Sequence, residues 1–170
     1  MRIDATAAYY GLFQVAFADA IEHLAGALFS MRQHNEPNLE FSDVFNQRFS
    51  DQLKGLRQEL AAFKNKGPST QEHMEAVLDA CSRMDKLRIW RDSRIHPRVV
   101  LTGDGYALFD KKTGERLSIS ETECKEKLDE LVKVIVTLEA YVPHLVGALD
   151  FDKEIEEMLR SDQELASIFT

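Results

Sequence analysis

The spacing of apolar residues divides the chain into four long amphipathic helices and one short one. Apolar side chains recur at steps of three and four positions, which places them on one face of an α-helix. This pattern predicts helices over residues 3–33, 42–63, 69–95 and 120–143, with a short acidic helix after Asp150. We expect these apolar faces to pack against each other.

Helix boundaries are marked by capping residues and by Gly and Pro. Ser69–Glu72 and Ser120–Glu123 have the Ser-x-x-Glu spacing of a capping box and predict the starts of the third and fourth helices. Gly67 and Pro68 predict the end of the second helix. Pro143 should kink or end the fourth helix. On the second helix, the phenylalanines, Phe45 among them, are expected in the core rather than on a base-stacking surface.

Between the third and fourth helices the pattern changes to short β-rich runs separated by turns. Val99–Leu101 and Tyr106–Phe109 flank a Gly-containing turn, and Arg116–Ile119 follows a second turn. This pattern predicts a small β-hairpin or a three-stranded flap. The expected fold is therefore all-α, an antiparallel four-helix bundle with a short C-terminal helix and a small β-hairpin insertion between helices 3 and 4. Residues 1–170 are expected to form a single domain, since this length suits one core.

Composition is that of an ordinary soluble protein, with 44% hydrophobic and 29% charged residues. The two cysteines lie on predicted apolar faces, without the spacing of a zinc site. No apolar run reaches the length of a membrane span, and the N-terminus lacks the pattern of a secretion signal. We therefore expect a cytoplasmic protein without a metal, a cofactor or a membrane partner.

Charge is distributed unevenly along the chain. The net charge of −8 argues against a protein that binds nucleic acid over its whole surface. Residues 83–98, however, contain six Lys or Arg against two Asp, and residues 120–170 contain thirteen Asp or Glu against five Lys or Arg. A basic segment on an acidic body fits binding of a short stretch of phosphate backbone. Neutralisation of the arginine helix by the acidic helices within the fold explains the contrast equally well.

The segment Met84–Arg98 combines arginines, a histidine and a helix stop. Pro97 disfavours helical geometry at His96, which should sit at or just past the last turn. On an ideal helix Arg91 and His96 would point about 140° apart, so release of His96 from the helix lets its ring turn back towards Arg91. Asp92, four residues before His96, is spaced to fix the imidazole tautomer. Trp90 is a candidate for packing against another helix, a partner subunit or a base.

The run from Arg91 to His96, at the end of a bundle helix, resembles the Arg-x4-6-His motif of HEPN domains. In that family a polar residue, often Asn, follows the arginine, and here Asp92 stands in that position. The resemblance implies a metal-independent endoribonuclease of the toxin or defence type, which cleaves RNA through attack by the ribose 2′-hydroxyl. It also implies a homodimer that pairs two motifs. An antitoxin or a nucleotidyltransferase-like protein would be a further partner.

The resemblance assigns roles to individual residues. His96 would act as general base or acid, Arg91 would bind the scissile phosphate, and Asp92 would orient His96. Further phosphate contacts are expected from three other arginines: Arg88, Arg94 and Arg98. The alternative is a non-catalytic helical-bundle interaction module, which binds a nucleotide or a partner protein. In that case Arg91 pairs with a carboxylate of the chain itself and His96 caps the helix.

Overall fold

The structure is a computed structural model, and the backbone it describes is mostly helical. The described residues are 5–64, 66–95, 98–102, 105–109, 113–117 and 120–168. Among them are five α-helices: α1 (Ala5–Gln33), α2 (Phe41–Phe45), α3 (Phe49–Leu60), α4 (Pro68–Ile95) and α5 (Glu121–Ile168). A 3-10 turn, Ala61–Phe63, follows α3.

The segment between α4 and α5 forms a three-stranded antiparallel sheet in the order β1 (Arg98–Thr102), β2 (Gly105–Phe109) and β3 (Arg116–Leu117). In its register Arg98 lies opposite Phe109, and Thr102 lies opposite Gly105. The third strand pairs with the far end of β2, where Leu108 lies opposite Leu117.

The predicted fold class is wrong in its helix count and in its β element, although a mostly helical chain is confirmed. The second predicted helix is two helices, α2 and α3, and the fourth and C-terminal helices are one, α5. Of the two forms predicted for the insertion, the hairpin alone is wrong, and the three-stranded flap matches the strands of the described residues. A four-helix bundle with a separate C-terminal helix therefore does not describe this chain.

The interruption between α2 and α3 is stabilised by a buried amide. The side-chain nitrogen of Gln52, which is fully buried on α3, donates to the carbonyl oxygens of Val44 at 3.0 Å and Phe45 at 3.2 Å. These hydrogen bonds satisfy carbonyls at the end of α2 that a continuing helix would have bonded. The break turns Val44, rather than Phe45, into the core. Phe45 is 45% exposed, so its expected core position is wrong.

The helix α5 continues through Pro143 because tertiary packing outweighs a local signal. Proline removes one backbone hydrogen bond and disfavours a helix interior. Leu145, two residues later, is completely buried, and Val142 is nearly so. Burial of such side chains contributes about 1.5–3 kcal/mol each, comparable to the cost of one proline. Of the two predictions for Pro143, the end of the helix is therefore wrong, and the kink stays a prediction.

The two predicted capping boxes have different outcomes. At the start of α5, the backbone N–H of Glu123 donates to Ser120 Oγ at 3.0 Å, as expected of an N-cap serine. The helix α4 begins at Pro68, before Ser69, and the N–H of Gln71 donates to the Gly67 carbonyl. Proline is well suited to the first helical position, since it has no N–H to satisfy there.

The chain divides into two compact units, each with its own apolar core. The first comprises residues 1–21 and 79–136, and the second comprises residues 22–78 and 137–170. The largest buried side chains of the first unit are Phe13, Phe17, Met84, Leu87 and Leu131. Those of the second unit are Leu24, Leu28, Met31, Leu56, Leu60, Phe63 and Leu145.

Two stretches of helix are long and apolar enough to cross a membrane, namely Ala8–Gln33 and Glu121–Ile155. Core helices of soluble proteins satisfy the same criterion. In the most apolar 18-residue part of each stretch, 39% is buried in the first and 28% in the second. The expectation on partners was RNA, a homodimer, an antitoxin or nucleotidyltransferase-like protein, and no membrane. Its exclusion of a membrane is wrong, because the sequence contains these two candidate spans.

Candidate functional site

The last turns of α4 carry four charged residues on one side, which we call the arginine cluster: Asp85, Arg88, Arg91 and Asp92. Their positions differ by three or four residues, with Asp92 directly after Arg91, so their side chains meet on the helix surface. All four belong to the first unit. Arg88, Arg91 and Asp92 are predicted site residues. Asp85 is not among the predicted residues, although its spacing of three from Arg88 indicates contact.

Arg88 is held between the two carboxylates of the cluster. Its Nε donates to Asp85 Oδ1 at 3.1 Å, and one terminal nitrogen donates to Asp92 Oδ2 at 3.0 Å. The Arg88 side chain is half-buried, and both aspartates are more exposed. Exposed ion pairs of this spacing contribute only about 0.3–0.5 kcal/mol each, so they position Arg88 without binding it tightly.

Arg91 is fixed from two directions. Its Nε and one terminal nitrogen donate to Asp92 Oδ1 at 3.2 and 3.0 Å. Its guanidinium carbon lies 4.3 Å from the centre of the Phe17 ring, a cation–π contact with α1. Phe17 is buried, whereas the Arg91 side chain is 25% exposed. The ring therefore supports one side of a guanidinium group that still reaches solvent.

Trp90 anchors this end of α4 within the first unit. Its ring lies edge-on to Phe13, with centroids 4.8 Å apart, and contacts Tyr10 at 6.2 Å. The indole N–H donates to Glu123 Oε1 on α5 at 2.6 Å. Of the three roles considered for Trp90, packing against another helix is confirmed. No sequence pattern predicts the bond to Glu123, because it joins residues 33 positions apart.

The remaining predicted site residues lie at or beyond the end of α4. His96 lies outside the described residues, and so do the side chains of Arg94 and Arg98. The described part of α4 extends to Ile95, and the predicted helix stop at His96 and Pro97 lies outside the described residues. The approach of His96 to Arg91 stays a prediction. So does the orienting role of Asp92, whose two oxygens bind Arg88 and Arg91.

The electrostatics of the cluster are nearly balanced, with two guanidinium groups facing two carboxylates. Elsewhere in the first unit, the hydrogen bond to Glu121 raises the pKa of Lys125, and Tyr9, whose ring lies 4.5 Å from the Lys125 ammonium, adds to this shift. Within the described part of the chain, no group of three or more His, Cys, Asp or Glu residues is arranged to hold a metal ion.

The second unit contains an open cavity of about 410 Å³, which no sequence pattern predicts. Its lining residues are His34, Asn35, Ala62, Lys66, Leu149, Asp152 and Lys153. His34 lies 3.1 Å from Asp150, and Lys66 pairs with Asp152. These pairs join α5 to the segments that follow α1 and α3. Much of the charge at the cavity is thus neutralised by contacts that stabilise the fold.

Comparison of the chain with protein-family models, with curated proteins and with solved structures gives no match. The resemblance to HEPN domains therefore depends on the residues at the end of α4.

Proposed function

We propose that the protein is a metal-independent endoribonuclease of the HEPN type. The observation that supports this most is the placement of Arg91, which is held against Phe17 beside Arg88 and retains solvent exposure. Two adjacent guanidinium groups in the last turns of a helix suit a phosphodiester, because guanidinium binds phosphate oxygens in a bidentate manner. The position of His96 just after this helix supplies a group for proton transfer.

In the proposed reaction, Arg91 and Arg88 bind the scissile phosphate and stabilise the charge that develops on its oxygens. The 2′-hydroxyl oxygen forms a bond to phosphorus and transfers its proton to a base. The bond from phosphorus to the 5′-oxygen breaks, and that oxygen takes up a proton. His96 performs one of these two proton transfers. Arg94 and Arg98 contact neighbouring phosphates. The products are a 2′,3′-cyclic phosphate and a 5′-hydroxyl.

A toxin or defence role and a cytoplasmic location complete this proposal, and both depend on the resemblance. The location can be tested separately from the chemistry. A cytoplasmic nuclease is recovered in the soluble fraction after cell lysis, without detergent. Extraction from membranes only by detergent would instead indicate that the apolar stretches of α1 and α5 enter the bilayer.

The test is cleavage of labelled single-stranded RNA in EDTA by the wild type and by Arg91→Ala, Arg91→Lys and His96→Ala. Arg83→Ala is the matched control, since Arg83 also pairs with an aspartate of α4, Asp79. We expect a loss of about 10²–10³-fold for Arg91→Ala, the size associated with removal of a transition-state contact. Arg91→Lys should recover only part of this, because lysine lacks the planar fork of arginine.

Circular dichroism and thermal melting of each variant exclude unfolding as the cause of lost activity. Cleavage by the wild type and by Arg83→Ala, with cyclic-phosphate ends, would support the nuclease. Equal cleavage by His96→Ala and the wild type would refute the assigned roles.

A second candidate function is a non-catalytic interaction module. The pairing of Asp92 with both Arg88 and Arg91 favours it, since these arginines then neutralise charges of their own helix. This function predicts that folded wild-type protein cleaves no RNA, and that Arg91→Ala is less stable than Arg83→Ala. The nuclease predicts a larger effect of Arg91→Ala on cleavage than on stability.

A further inference from the structure

Asp92 lies between two guanidinium groups and uses a different oxygen for each. Oδ1 accepts from Nε and a terminal nitrogen of Arg91, and Oδ2 accepts from a terminal nitrogen of Arg88. A carboxylate and a phosphate bind arginine through the same donors and with similar geometry. The carboxylate of Asp92 thus has the contacts that two oxygens of a phosphate would make.

We propose that Arg88 and Arg91 form a phosphodiester-binding site that the Asp92 carboxylate occupies in the free protein. A phosphodiester must displace this carboxylate to reach both arginines. Asp92 is then an internal competitor that lowers the affinity of the site. The choice of a phosphodiester as the ligand rests on the proposed function, whereas occupation of the site by Asp92 rests on the observed contacts.

The exposure of Asp92 makes displacement feasible. Its side chain is 43% exposed, and a rotation about its own side-chain bonds would take the carboxylate into water without unfolding α4. Ion pairs between exposed residues spaced by four positions are weak, so a ligand that engages both arginines can replace them. Asp85 also contacts Arg88, but it accepts from the Nε atom. The terminal nitrogens of Arg88 are therefore left for the ligand.

Phe17 keeps the site in place when Asp92 is removed. The guanidinium group of Arg91 lies 4.3 Å above a buried ring, so its position does not depend on the carboxylate alone. Asp92→Asn should therefore release both arginines while leaving Arg91 near its present position. The substitution also removes a negative charge that would repel a bound phosphate at short range.

Asp79→Asn provides a matched control. Asp79 pairs with Arg83 at the same spacing of four on the same helix, and its removal changes the net charge of the protein equally. Its distance from Asp92 along α4 is about 20 Å, which exceeds the screening length of about 10 Å at 0.1 M salt. Any general effect of one lost negative charge appears in both variants, and relief of competition appears only in Asp92→Asn.

The experiment measures binding of a labelled, single-stranded 2′-O-methyl RNA by fluorescence anisotropy, at low and at moderate salt. This probe has no free 2′-hydroxyl and cannot be cleaved by the proposed reaction. We expect Asp92→Asn to bind about tenfold more tightly than the wild type at low salt, with a smaller gain as salt screens the charges. At moderate salt Asp79→Asn should change affinity less than about twofold, since its charge then lies beyond the screening length. At low salt, where the screening length grows to about 30 Å, the gain of Asp79→Asn measures the general effect of one lost charge, and the gain of Asp92→Asn should exceed it.

Addition of Arg88→Ala or Arg91→Ala to Asp92→Asn should abolish the gain. Persistence of the gain in both double variants, or equal affinity of Asp92→Asn and wild type, would overturn the inference. Thermal melting verifies that Asp92→Asn is folded. Should Asp92→Asn itself fail to fold, Asp92→Ser serves in the same assay.

Failure of this inference is distinguishable from failure of the proposed function. Tighter binding by Asp92→Asn without RNA cleavage by any variant supports the internal competitor and refutes the nuclease. Cleavage by the wild type, lost in Asp92→Asn at unchanged affinity, refutes the competitor and supports the role of Asp92 in orienting His96.

Discussion

The hydrogen bond of Trp90 can be removed while an aromatic ring remains in its place. Trp90→Phe keeps a ring against Phe13 and deletes the donor that lies 2.6 Å from Glu123 Oε1. A hydrogen bond to a charged group contributes about 1.5–3 kcal/mol. The smaller ring also leaves unfilled volume in a region where the indole is only 9% exposed. We expect the free energy of unfolding to fall by about 2–4 kcal/mol.

Glu123, which accepts this hydrogen bond, can be substituted as well. Glu123→Gln keeps an acceptor but removes the charge, which also interacts favourably with the N-terminal end of α5. We expect a loss of about 1 kcal/mol. The loss measured in the double variant should be smaller than the sum of the two single losses, by a coupling energy of about 0.5–1 kcal/mol. Glu126→Gln, at an exposed position of the same helix, controls for the loss of charge.

Urea unfolding followed by far-ultraviolet circular dichroism measures these energies in all variants. In the wild type, fluorescence adds a local signal, because Trp90 is the single tryptophan of the chain. Its emission should shift to longer wavelength as the ring enters water. The assignment of this bond as an anchor of α4 would be refuted if Trp90→Phe were as stable as the wild type. A coupling energy below about 0.3–0.5 kcal/mol would refute it as well.

Four substitutions in other parts of the fold test further contacts. Gly26→Ala should stabilise the protein by about 0.5–1 kcal/mol, since nothing lies within 4 Å of the added carbon. Gly55→Ala should instead destabilise it by about 1 kcal/mol, because side-chain atoms would lie 2.9–3.0 Å away. Thermal melting compares the pair. Gln52→Leu should cost about 1–3 kcal/mol in urea unfolding, as two carbonyl oxygens lose their buried donor. Glu121→Gln should lower the raised pKa of Lys125 towards its ordinary value in an NMR titration. Because the folded pKa is raised, the stabilisation by this pair is complete below the ordinary lysine pKa of 10.5 and is lost as pH rises through the folded value.

The long helices were predictable wherever one apolar stripe ran without interruption. The described range of α1 matches its predicted range to within two residues, and α4 begins one residue earlier than predicted and is described as far as Ile95. Both have a continuous period near 3.6 residues. In these segments the local conformational preferences and the packed core agree.

The misplaced boundaries have causes distant in sequence. The break after α2 depends on the amide of Gln52, seven and eight residues beyond the carbonyl groups that it binds. Continuation of α5 past Pro143 depends on burial of Leu145, which a helix stop would have removed from the core. Predictions from local sequence give the helix-breaking tendency of Pro143 more weight than the apolar residues after it, because they do not include the energy of contacts between helices.

The same limit applies to the arginine cluster, where local rules name partners but do not choose among them. A spacing of four places Asp92 beside His96 in one direction and beside Arg88 in the other, and both pairings are chemically reasonable. Arg91 is directed towards Asp92 while its guanidinium group rests on Phe17, which lies 74 positions earlier in the chain. A contact between α1 and α4 thus brings Arg91 to the carboxylate that Arg88 already binds. Asp92 is shared between two arginines in this way, so its replacement should change the contacts of both at once. The affinity of the cluster for phosphate should change with them.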